Sequence, residues 1–254
     1  MSNSISKEFK FFSLLRFAFP TMVMMVFMSL YTIVDGIFIS RLVGTDALSA
    51  TNIVYPAISL LIAIGVMLAT GGSAIIAKKL GEKKEKEACE DFSFLVLAAV
   101  VIGIIFMVFG NLFINPIVRL LGATDVLMDY CVGYLSVCLL LAPACILQLV
   151  FQTFFVTAGK PVLGLALTIS GGIANMILDY VFMGVFHMGV EGAALATGIG
   201  QLIPALAGII YFLFVRHSLY LVKPKIRWSV LAESSFNGSS EMVTNLSGAI
   251  VTFL

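Results

Sequence analysis

Residues 161–186 read PVLGLALTISGGIANMILDYVFMGVF, and this stretch decides the fold class. It is apolar almost throughout and long enough to cross a bilayer core, which takes about 20 residues of helix. Yet it holds an acid, Asp179, with Asn175 one helical turn before it. An acid at the centre of a membrane helix costs roughly 2.5–3.5 kcal/mol. Such residues face a bundle interior or a water-filled path. Residues four apart share a helix face, so Asn175 and Asp179 project together. Gly164, Thr168 and Gly171 continue that face and make a small, polar stripe suited to close helix packing.

The same pattern extends outward. Five more apolar runs of spanning length lie at about 17–39, 53–77, 92–114, 130–155 and 192–215. Hydrophobic residues make up 60% of the 254-residue chain and charged residues 11%. That balance excludes a soluble globule, in which about a quarter of residues are charged. It excludes disorder for the same reason. A net charge of +1 gives no footprint for nucleic acid. The first run is too long for a signal-peptide core and is expected to be retained. Residues 242–254 begin a seventh apolar run, but they reach only about 20 Å as a helix. The expected architecture is an all-α membrane protein. Residues 1–228 form a six-helix lobe, and residues 229–254 form a linker and the truncated start of a second lobe. The short seventh helix is expected to pack poorly or to lie at the interface.

Loop charges orient the bundle. With the N-terminus inside, every Lys and Arg except Arg41 and Arg119 falls on the inner side. This asymmetry predicts a multi-pass protein of the plasma (inner) membrane with a cytoplasmic N-terminus. It puts the 78–91 and 216–240 segments on one side. The 78–91 segment, mixed in sign, reads as a solvated loop.

No metalloprotease, Walker, nucleophile-elbow or CxxC motif occurs, so the reading is of a non-enzyme without cofactor. Cys131, Cys138 and Cys145 recur every seven residues, about 10.5 Å apart on a straight helix, too far to bridge. The informative residues are polar ones within the runs. Asp35 and Asp179 are the two acids well inside them, and at one depth they can meet. Tyr134, Cys138, Leu141, Cys145, Gln148 and Gln152 share a face of the fourth run, and Ala193, Thr197 and Gln201 share one of the sixth. Two acids with amide and hydroxyl oxygens make a hard-oxygen cluster able to hold H⁺ or Na⁺. Gln148, Gln152 and Gln201 either line a substrate cavity or only hydrogen-bond helices together. Met25 and Met28 share a face with Asp35 in a first run rich in methionine, a side chain that suits promiscuous surfaces. Pro20 is a candidate hinge.

Several stretches together resemble the multidrug and toxic compound extrusion (MATE) family. They are Gly44-Thr45-Asp46-Ala47-Leu48-Ser49-Ala50 followed by Pro56, then Ala69-Thr70-Gly71-Gly72-Ser73-Ala74, and Lys79-Leu80-Gly81-Glu82-Lys83. Ala158-Gly159-Lys160-Pro161, Asn175-Met176-Ile177-Leu178-Asp179 and Gly189-Val190-Glu191-Gly192-Ala193-Ala194 follow in order. The resemblance includes the subgroup of staphylococcal and DinF-like exporters. It implies twelve helices in two six-helix lobes and export of drugs or organic cations in exchange for H⁺ or Na⁺. It implies a cation site in this lobe at Asp35, Tyr134, Asn175, Asp179 and Thr197, with no metal beyond Na⁺ there. The second lobe is expected in a longer protein. The competing readings are a flippase for lipid-linked precursors and a non-functional truncated product. A flippase cavity for a large anion calls for intramembrane Arg or Lys, and the runs hold none.

Overall fold

The computed structural model describes residues 11–253, with the side chains of residues 19, 21–27 and 29–248. It contains α1 (Phe11–Phe38), α2 (Thr45–Gly81), α3 (Glu85–Leu112), α4 (Ile114–Leu120), α5 (Met128–Leu140), α6 (Ala142–Thr157), α7 (Pro161–Asp179), α8 (Gly189–Phe214), α9 (Trp228–Asn237) and α10 (Ser239–Phe253). No strand occurs among the described residues. Among the described residues five helices are long and apolar enough to cross a membrane, and α5 with α6, taken as one bent span, makes a sixth. The six-span expectation therefore holds, but the fourth span is broken. Its halves meet at 54° around Leu141. Pro143, in the first turn of α6, has no N–H to continue the helix. The corner fits because Gly103 of α3 lies against Pro143, where a Cβ would sit 2.5 Å from the proline Cα.

That corner separates two hydrophobic cores. One joins the second half of α2, the start of α3, α6 and the end of α8. It is rich in aromatics, with Phe92 4.8 Å from Phe154 and 4.9 Å from Phe212 between ring centroids. The other joins the start of α2, α4, α5 and the start of α8. Beside the second core, an apolar groove of about 500 Å³ opens between α2, α3, α4 and α5.

The 78–91 segment is not the solvated loop expected. α2 runs to Gly81 and α3 starts at Glu85, leaving a tight turn in which Lys83 adopts φ 61°. Asp91 is fully buried in α3. It pairs with Lys79 and accepts from Arg227 Nη1 at 3.0 Å, while Arg227 Nη2 donates to Glu90 Oε2 at 2.8 Å. The expectation that 78–91 and 216–240 share one side is met by these direct bonds. Between α8 and α9 the chain runs as a strap over α3. Val222 N–H donates to Ser93 Oγ at 2.8 Å, and Leu219 is buried.

α9 and α10 both lie along α2. Their junction is tight because Gly71 of α2 faces the Ser234 carbonyl and Gly238 faces the Met67 carbonyl, leaving no room for a Cβ on either. Ser234 Oγ donates to the Leu68 carbonyl at 3.3 Å. Residues 242–248 remain largely exposed on their other faces.

Candidate functional site

α7 and α8 approach each other through the stripe of small residues. A Cβ on Gly200 would lie 2.8 Å from the Gly171 carbonyl, so the two backbones nearly touch. This closeness brings Asn175 and Asp179 against Thr197. α1 crosses the other side of α7, with Phe27 seated on Gly172. One turn beyond Phe27 comes Tyr31, and one further turn brings Asp35 to Asp179.

The carboxyls of Asp35 and Asp179 face each other within hydrogen-bonding reach. Asp179 is fully buried and Asp35 partly so. The buried Oδ1 of each has no hydrogen-bond partner among the described residues. Ionised carboxylates only accept, so this contact calls for a proton or a cation between them. Asn175 completes the geometry. With its amide turned to satisfy both sides, its nitrogen donates to Asp179 Oδ2 at 3.3 Å and its oxygen accepts from the Thr197 N–H at 3.1 Å.

Each helix bearing an acid then widens into a π-helical turn: Ile39–Val43 after Asp35, and Tyr180–Val185 directly after Asp179. The two turns touch. Such turns are rare and often sit at functional sites. Nothing in the local sequence announced them.

Two small cavities flank Thr197. One, of about 20 Å³, is lined by Tyr31, Gln148, Thr168, Asn175, Thr197 and Gln201, among others. The second, of about 50 Å³, is lined by Tyr134, Cys138, Leu141, Cys145, Thr197 and Gln201, among others. The first has room for about one water and the second for a few. Tyr134 is buried and lines the second cavity together with Cys138. Asp35, Asn175, Asp179, Thr197 and Tyr134 are thus linked through shared contacts and a shared cavity wall. Gln148 and Gln201 line the cavities. Gln152 lines neither, and its buried Oε1 has no hydrogen-bond partner among the described residues.

Met25 is 65% exposed and lies away from both cavities. The side chains of Pro20 and Met28 lie outside those described. Tyr31, which the sequence reading did not single out, lines the first cavity; its signal was the four-residue spacing to Asp35. Among the described residues no three His, Cys, Asp or Glu converge as a metal site.

A family model described as MatE matches residues 20–181. The chain is 27% identical over 253 residues to the multidrug export protein MepA of Staphylococcus saprophyticus, covering 94% of this chain and 56% of that protein. It is 31% identical over 202 residues to MepA of Staphylococcus haemolyticus, covering 80% and 45%. In fold it matches a MOP-superfamily transporter from Pyrococcus furiosus with a TM-score of 0.85 at 24% identity, covering 94% of this chain and 53% of that one. The chain spans about half the length of the curated relatives it matches.

Proposed function

The chain belongs to the MatE family, and from that premise we propose that it forms one lobe of an exporter of drugs and organic cations driven by H⁺ or Na⁺. The observation that carries this reading is the contact between Asp35 and Asp179, whose buried Oδ1 atoms have no hydrogen-bond partner among the described residues. Two carboxylates held together in hydrocarbon repel until a cation joins them. Asn175 turns its amide nitrogen to Asp179, and Thr197, Tyr134 and Tyr31 line the two small cavities that flank Thr197. The relatives named multidrug export proteins support the substrate class.

In this mechanism the cation reaches the pair from outside and neutralises it. α1 then packs more closely on α7, sliding Phe27 along Gly172 and bending near Pro20. The methionine-rich face of α1 moves with it, and a drug held between this lobe and the rest of the transporter is released outward. The cycle works only if the cation binds the two arrangements with different affinity, since equal affinity shifts nothing.

The test is efflux of a fluorescent organic cation from proteoliposomes under an imposed H⁺ or Na⁺ gradient. Asp35→Asn and Asp179→Asn keep shape but delete charge, and each is expected to abolish gradient-driven efflux by the intact transporter. Gln201→Ala is expected to be milder. Wild-type rates in both Asn variants would return the two acids to a packing role.

A further inference from the structure

The charged cluster under the strap takes no part in the mechanism above, although it contains a fully buried acid. Each oxygen of Asp91 meets a different cation. Oδ2 pairs with Lys79 of α2, and Oδ1 accepts from Arg227, the residue just before α9. A buried ion pair is costly to break, because the partner left behind stays charged and dry. One carboxylate therefore ties together α2, α3 and the strap. The hold continues along α3, where Ser93 Oγ accepts from Val222 N–H and Cys89 Sγ lies 4.0 Å from the Ser218 carbonyl. Past Arg227, the Trp228 ring meets Phe94 edge-on at 6.2 Å, and the α9–α10 junction sits on α2.

Building on the transporter reading, we propose that Asp91 is a positioning residue for transport: through Arg227 it fixes the strap to the α2–α3 corner. α9, α10 and the chain beyond them then move from a constant footing during the cycle. Curated relatives are about twice the length of this chain, so a second half has to move against this one. The strap is the route by which that motion is referred to the lobe holding Asp35 and Asp179.

Cys89 is a built-in reporter, because it is a free thiol, buried beneath Ser218 of the strap. The experiment exposes the intact transporter in liposomes to N-ethylmaleimide and reads modification at Cys89 by peptide mass spectrometry. In the unsubstituted protein Cys89 should stay protected, with or without drug and gradient. Arg227→Gln, which frees the strap, should label faster by about tenfold or more. Lys79→Gln spares the Arg227 bond and should label like the parent. In efflux assays Arg227→Gln should lower maximal turnover and leave the KM for the organic cation unchanged. Arg227→Lys, which retains the charge, should restore part of both readouts, and it serves if the Gln variant fails to fold. The proposal is overturned if Arg227→Gln labels like the parent, if it labels faster with unchanged turnover, or if Cys89 of the unsubstituted protein becomes labelled during transport. Failure of the transporter reading looks different: the parent exports nothing, while Cys89 labelling still decides whether Arg227, held by Asp91 and Glu90, fixes the strap.

Discussion

Burial decides what a charge is worth in this protein. Glu82 and Lys84 form an exposed pair at 2.7 Å in the α2–α3 turn. The Lys84 ammonium holds the Glu82 carboxyl below its usual range. Any stability from this is present above the ordinary glutamate range and is lost as pH falls through the lowered value. Solvent and salt screen it, so Lys84→Ala should leave the melting temperature in detergent unchanged. Asp91 is the opposite case. Asp91→Asn removes the buried carboxylate between Lys79 and Arg227, which keep only Glu87 and Glu90, and should destabilise the bundle by about 1.5–3 kcal/mol, read as a lower melting temperature. Tyr31→Phe keeps the ring but removes a hydroxyl beside the first cavity. Its efflux should fall only several-fold, in keeping with one neutral hydrogen bond worth about 1 kcal/mol.

Helix against helix, the contact that matters most is α7 on α8. Gly171→Ala or Gly200→Ala forces a methyl into the opposite backbone. Each should cost about 1–3 kcal/mol by thermal denaturation. The double variant should cost less than the sum, because one displacement relieves both clashes. The stripe that creates this contact was legible in the sequence, because small and polar residues are conspicuous in an apolar run. So was the meeting of Asp35, Asn175, Asp179 and Thr197. The inward side of α1 was harder to read, because that helix is apolar nearly all round and its periodicity gives no direction. Met24 is buried and Met25 exposed, so the side turned to α7 runs through Met24, Phe27, Tyr31 and Asp35. The stripe read through Met25 and Met28 is displaced from it by one residue. The burial of Asp91 was illegible for another reason. Its partner Arg227 lies 136 positions away, and only the folded strap brings them together.

At the scale of the whole molecule, α1 carries an exposed apolar stripe through Met22, Met25, Val26, Leu30, Ile33 and Ile37. This stripe lies on the helix that holds Asp35. Residues 1–254 expressed alone are expected to give cells no drug resistance, measured as the minimal inhibitory concentration of an organic cation; protection at the level of a full-length relative would contradict this. The broken fourth span has a further consequence, for how the bundle comes apart. Leu141 marks the border between two cores, with α5 in one and α6 in the other. α2, α3 and α8 run continuously past it. Unfolding is therefore expected in two cooperative blocks. Amides of α5 and the start of α8 should exchange with deuterium together. Those of α6 and the aromatic end of α8 should follow more slowly, held by the ring contacts among Phe92, Phe151, Phe154 and Phe212.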